Sequence, residues 1–130
     1  QMCIRDSIQP DGRIVIGGAT ERFQTAAFVE RLTQAGAPDG GRTFQIADEF
    51  YEQGSIFSLA AQADGKIVFG ARSPNSQNLG RLNADLTLDT AFGSQSSGYV
   101  TVTEAITSVN VDPLGRIVGS GPSGTVRVLP

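Results

Sequence analysis

A five-residue string recurs along this chain with little change: Asp11-Gly12-Arg13-Ile14-Val15 returns as Asp64-Gly65-Lys66-Ile67-Val68 and, loosened, as Leu114-Gly115-Arg116-Ile117-Val118. The glycines lie 65 − 12 = 53 and 115 − 65 = 50 residues apart. Self-similarity at a period of this size marks an architecture assembled from copies of one supersecondary unit, because a single copy cannot bury its own apolar face. Residues shared by the copies keep the shape, and residues that differ carry the function. The motif therefore constrains the fold and is silent about the ligand.

Each copy reads the same way. Ile56, Leu59 and Ala61, like Ile106, Val109 and Val111, sit in a short apolar stretch that a turn reverses into Ile67-Val68-Phe69 or its counterpart. Pro10-Asp11-Gly12 suits a type I turn closed by a left-handed glycine: proline presets the first φ, aspartate caps locally, and glycine accepts a positive φ. Gly12, Gly65 and Gly115 are accordingly structural residues. After a connection of variable length comes a third strand bearing an arginine: Phe28-Val29-Glu30-Arg31-Leu32, Leu79-Gly80-Arg81-Leu82 and Thr125-Val126-Arg127-Val128. A second turn leads to Asp39 and Phe44 in the first copy and to Asp89 and Phe92 in the second. Short strands joined in sequence and repeating about every 50 residues are the signature of a propeller blade. The chain is read as all-β, with blade-like antiparallel sheets forming an incomplete β-propeller of about three blades. Repeat 1 covers about 8–53, repeat 2 about 54–103, and a truncated repeat 3 about 104–130.

Composition agrees and narrows the partners. With 39% hydrophobic and 18% charged residues, 16 glycines and 6 prolines, the chain of 130 residues is globular and turn-rich. Its net charge is −3 and its ten basic residues are scattered singly, so no basic stripe follows a phosphate backbone and nucleic acid is not an expected partner. No apolar run of membrane-spanning length occurs, so membrane insertion is not expected. The single Cys and Met are Cys3 and Met2, which leaves residues 4–130 without a thiol for disulfides, zinc or thiol catalysis. Gln1–Ser7 stands apart. Aligned on the turn glycines, it places Asp6 where the later copies have Leu59 and Val109, and it resembles a translated adaptor read-through. Residues 1–7 are expected to be a non-native tail and are left out of the fold reading.

Candidate chemistry is sparse. Histidine is absent, so neither a Ser-His-Asp nor a Cys-His arrangement can be built from this chain alone. Asp48, Glu49 and Glu52 cluster around Phe50 and Tyr51; paired carboxylates can cleave a glycosidic bond, but a solvated loop face is the preferred reading. Asn83, Asp85, Thr87 and Asp89 alternate like the ligands of a calcium loop, yet Leu88 and Ser94 stand where that loop needs glycine and glutamate. Gly119, Gly121 and Gly124 have dinucleotide-fingerprint spacing, but strand-like residues follow where a helix is required, so a shortened interstrand turn is expected. No catalytic residue, metal or cofactor is assigned. Arg31 and Asp39 are eight residues apart, as are Arg81 and Asp89, which across a hairpin gives a structural charge-assisted pair.

The run Gln62-Ala63-Asp64-Gly65-Lys66-Ile67-Val68-Phe69-Gly70, followed by Gly80-Arg81-Leu82-Asn83-Ala84-Asp85 and Leu88-Asp89-Thr90-Ala91-Phe92-Gly93, resembles one copy of the bacterial delta-60 repeat. Gln9 to Gly18 resembles the start of another. The first copy departs at Gln34-Ala35-Gly36, where that family has an Asn/Asp-rich turn, and by a two-residue insertion before Phe44. The resemblance covers most of residues 8–130 and implies a β-propeller in a large secreted or surface-attached bacterial protein, without catalytic residues or a known ligand. The expected function is a non-enzymatic binding or scaffolding module, extracellular or at the cell surface. Its expected partners are a protein or carbohydrate, and either missing blades of the same protein or its own copies through exposed edges. Specificity is expected in the loops that vary between copies, at Arg22, Arg72, Asn75, Asn78, Glu49, Tyr51 and Glu52. The rival reading is a fragment of a propeller enzyme, of the sugar-lactone hydrolase or quinone-dependent dehydrogenase type, whose site lies in other blades.

Overall fold

Apolar side chains alternating with a period of two make the strands, and repeated copies of one tight turn fold them back on themselves. The computed structural model describes residues 5–19, 27–44, 55–72, 77–93, 97–103 and 106–128. Blade 1 comprises β1 (Arg5–Ile8), β2 (Ile14–Ala19), β3 (Ala27–Leu32) and β4 (Pro38–Phe44). Blade 2 comprises β5 (Ser55–Ala61), β6 (Ile67–Arg72), β7 (Gln77–Leu82) and β8 (Tyr99–Val102). Blade 3 comprises β9 (Ser108–Val111), β10 (Ile117–Gly121) and β11 (Gly124–Val128). Every sheet is antiparallel with its strands in chain order, which is the meander expected of a propeller blade. The Gly119–Gly124 segment is a hairpin, with Gly121 paired to Gly124 across the β10–β11 turn.

One turn recurs five times. Its first residue donates its N–H to the carbonyl of the fifth, and the fourth donates back to the carbonyl of the first: Gln62 N to Lys66 O at 2.8 Å and Gly65 N to Gln62 O at 3.0 Å. The same pair of bonds closes Gln9–Arg13, Thr33–Ala37, Asn83–Thr87 and Asp112–Arg116. The fourth residue is left-handed, with φ of 83° at Gly12, 84° at Gly65 and 78° at Gly115. Leu86 holds that position in blade 2 at φ 68°, a conformation costly for a side chain with a Cβ, and its side chain is buried between blades 1 and 2. Aspartates cap these turns: Asp64 Oδ1 accepts from Lys66 N at 3.1 Å, and Asp85 Oδ1 from Thr87 N at 2.9 Å.

Blades pack face on face. β6 is buried on both sides: Ile67, Phe69 and Ala71 point toward blade 1, and Val68 points toward blade 3. The first interface joins these residues to Val15, Ala27, Val29, Ile56 and Leu59, and the second joins Val68 and Leu79 to Ile106, Val109 and Ile117. Backbone-directed bonds cross as well. Val109 N donates to the buried Ser58 Oγ at 2.8 Å, and Ala61 N donates to Ser7 Oγ at 3.2 Å.

Arg5–Ser7, left out of the fold reading above, lies within β1, paired from Arg5↔Gly17 to Ile8↔Ile14, and Arg5 Nε donates to Phe57 O at 2.9 Å. Ladder bonds depend on backbone alone, so an exposed Asp6 does not prevent the strand. One expectation needs correction: Phe44 is not the counterpart of Phe92. Phe44 pairs with Ala27 at the far end of β4, the register that Val102 holds against Gln77. Blade 2 bridges Leu82 to Leu88 and then makes an excursion before rejoining β7 at Gly80↔Tyr99; blade 1 passes from Leu32↔Pro38 to Glu30↔Gly41 directly.

Candidate functional site

The charged residues of the shared motif turn inward on one another. Arg31 Nε meets Asp39 Oδ2 at 3.0 Å and Arg81 Nε meets Asp89 Oδ2 at 2.7 Å, so the eight-residue spacing does bring guanidinium and carboxylate together. A second cation joins each pair. Arg13 Nε lies 2.8 Å from Asp39 Oδ2, and Lys66 Nζ lies 2.9 Å from Asp89 Oδ2. Both come from the position after the turn glycine, and the tight turn aims them across β3 or β7 at the aspartate. The recurring Gly-Arg/Lys step was visible in the sequence, but nothing local in it pointed to residue 39 or 89. In blade 3 the same cation, Arg116, instead bonds Asp112 Oδ2 at 2.6 Å within its own turn.

The two triads differ in depth. The Asp89 side chain is 6% exposed and that of Asp39 28%. Hydrogen bonding from Lys66, joined by the hydrogen bond and charge of Arg81, holds the Asp89 carboxyl below the usual carboxylate range, against a burial effect that acts upward. Arg81 is further seated over the Phe92 ring, 4.6 Å from its centroid. For Asp112, burial also acts upward, and the N–H groups of Arg116 and Leu114 with the Arg116 side chain outweigh it. Asp85 accepts from both the Thr87 hydroxyl and its N–H, so the alternating oxygens at 83–89 are occupied by turn and ion-pair bonds. Among the described residues no cluster of three metal-ligating side chains occurs.

Two clefts open between blades at the turn-bearing end. One, of about 290 Å³, is lined by Gln9, Asp11, Arg13, Arg31, Asp64 and Ala84 among others; the second, of about 550 Å³, by Gln62, Asp64, Val111, Asp112 and Leu114 among others. Gln9 and Gln62 occupy equivalent turn positions and are buried, and the Oε1 of each has no hydrogen-bond partner among the described residues. Gln9 Nε2 donates to Gly65 O of the next blade at 3.1 Å.

At the opposite end lie the strand termini that carry the variable connections: Ala19 and Ala27, Arg72 and Gln77, and Gly121 and Gly124 are paired there. Of the residues singled out for specificity, Arg72 is exposed at the end of β6, and Asn78 is half-buried on β7, its Oδ1 accepting from Thr101 Oγ1 at 3.0 Å. Arg22, Glu49, Tyr51, Glu52 and Asn75 lie outside the described residues.

Residues 9–41 and 62–92 match a family model described as a domain of unknown function (DUF5122) beta-propeller. No curated protein matches the chain. The matched stretches begin at the first turn of blades 1 and 2 and run past the aspartates of the two triads. In these stretches the chain is similar to a propeller-type repeat family, in agreement with its three all-β, blade-like sheets.

Proposed function

We propose that this chain is a non-enzymatic binding module of a delta-60-type propeller protein, taking a polar carbohydrate or protein ligand at the end that bears the variable connections. One observation carries this reading: the five superposable turns, with their caps and ion triads, gather at one end, and the connections that differ between copies leave from the other. The charged groups of the two triads at the turn end are spent on one another, whereas Arg72 is exposed at the variable end. Binding of the labelled chain to a glycan array, with a pull-down against extracellular proteins, tests it. Capture that is lost in Arg72→Ala and retained in Asp11→Asn, at unchanged thermal stability, is the expected result. Capture indifferent to Arg72→Ala, or substrate turnover in a hydrolase and oxidoreductase screen, overturns it.

A further inference from the structure

The cleft between blades 1 and 2 gathers hydrogen-bonding groups that the turns around it do not satisfy. Gln9, 4% exposed, lines it; its Nε2 donates across the blades to Gly65 O at 3.1 Å, while its Oε1 accepts nothing among the described residues. A buried carbonyl left without a donor is costly, so a group that supplies one is favoured there. From blade 2, Asp64 reaches the same cleft. Its Oδ1 caps the turn by accepting from Lys66 N at 3.1 Å, and its Oδ2 has no partner among the described residues.

Two guanidiniums face these acceptors. Arg13 contacts Asp39 through Nε and Asp11 through Nη1, and Arg31 contacts Asp39 through Nε and Ala84 O through Nη1. The Nη2 of each is left without a partner among the described residues. Because both Nε atoms meet the same Asp39 Oδ2, at 2.8 and 3.0 Å, the two planar groups are held side by side. Blade 2 keeps its own cations elsewhere. Arg81 is seated over Phe92, three residues past Asp89, and Lys66 joins it on that buried carboxylate. Three residues past Asp39 the sequence has Arg42 and no ring, and Arg31 crosses to blade 2 instead. The second cleft is accordingly lined by Gln62, Asp64 and Asp112 and by no arginine or lysine.

We propose that the cleft between blades 1 and 2 binds a small aliphatic zwitterion, an ammonium and a carboxylate carried on one short carbon frame. The carboxylate accepts from the Nη2 groups of Arg13 and Arg31, and the ammonium donates to Asp64 Oδ2 and Gln9 Oε1. Pro10, Ala63 and Ala84 line the cleft beside the carbon frame. A lone anion would share the space with Asp11 and Asp64, and a lone cation with two guanidiniums; a ligand bearing both charges answers each. The volume of about 290 Å³ lies at the small end of ligand clefts, which suits a free amino acid or the combined ends of a dipeptide. This site is separate from the variable end, and its test is independent of the reading proposed there.

Amide chemical-shift titration of the isotope-labelled 130-residue chain with L-alanine and with L-alanyl-L-alanine tests it. Saturation at one site per chain is expected, with a Kd of about 0.1 to 1 mM and shifts centred on the amides of Gln9, Asp64, Gly65 and Ala84. Either zwitterion binding supports the proposal, and the tighter of the two names the source. N-acetylalanine and alaninamide, each lacking one charge, are expected to bind at least about tenfold more weakly. Asp64→Asn, which keeps a turn-capping oxygen, and Arg13→Gln are expected to weaken alanine by a similar factor. Arg72→Ala and Asp112→Asn are expected to leave it unchanged. Circular dichroism verifies folding, and if Arg13→Gln does not fold, Asp64→Asn and the singly charged analogues decide alone. No saturation by either zwitterion below about 20 mM, equal affinity for the singly charged analogues, shifts centred elsewhere, or indifference to Asp64→Asn overturns the proposal.

Discussion

Asp39 and Asp89 stand at one register position in different surroundings, so removing each charge has a different cost. Asp89→Asn leaves the Arg81 guanidinium, 10% exposed, facing a neutral amide in the core and is expected to destabilise by about 3 to 5 kcal/mol. Asp39→Asn, at a more open triad, is expected to cost about 1 kcal/mol or less. Urea unfolding of the two variants checks the order. The difference between wild type and Asp89→Asn must also depend on pH. The folded carboxyl titrates below its ordinary value of 3.8, so its contribution is intact above that pH and disappears as the pH falls through the lowered folded value. The unfolding curves of the pair therefore converge in acid. At the turns, Gly65→Val is expected to cost about 1 to 3 kcal/mol through left-handed strain. Leu86→Gly relieves the same strain and loses a buried side chain, so its net change is expected to stay within about 1 kcal/mol. Thermal unfolding separates the two.

Along the strands, side chains exchange volume in sets. In blade 2 the Phe69 ring lies over Gly80, where a Cβ would come within 2.2 Å of Cζ, and Tyr99 meets the ring edge-on at a centroid distance of 5.9 Å. The same register in blade 1 holds Ile16, Glu30 and Gly41. Gly80→Ala is therefore expected to destabilise by about 1 to 3 kcal/mol and to shift the near-ultraviolet dichroism of Tyr99. Strands β2, β3, β5, β6, β7, β9, β10 and β11 were legible in the sequence because recurrence multiplied a weak alternation signal into a strong one. β1 was not, since Asp6 breaks the apolar pattern and a ladder needs only backbone. β4 and β8 were misaligned, because Phe44 and Phe92 look equivalent by type and spacing while one ends a strand and the other is buried under Arg81 in the excursion. The Arg–Asp pairs were legible from a fixed spacing within one hairpin; the turn cations that complete them come from another hairpin, and no local spacing records that. Of the seven residues proposed for specificity, the structure describes Arg72 and Asn78, and neither lines the two clefts at the turn-bearing end.

At the scale of the whole array, blade 2 is covered on both faces and its neighbours on one. Hydrogen exchange is expected to be slowest in β6, where Val68 and Phe69 are fully buried on opposite sides, and fastest in β1 and β11. Equal protection across the three sheets would show that the interfaces do not set the stability. The excursion in blade 2 has a further consequence. Arg31 and Ser58 are 58 − 31 = 27 residues apart, and Arg81 and Ser108 are likewise 108 − 81 = 27 apart. Blade 1 uses much of that length between the ends of β4 and β5, Phe44 and Ser55, which belong to the variable end, and blade 2 between the ends of β7 and β8, Leu82 and Tyr99, which belong to the turn end. Equal lengths of chain are thus divided differently between the two ends of the blades. Exchange of one repeat for another by recombination would keep the reading register and the blade count and still move a surface from one side of the propeller to the other.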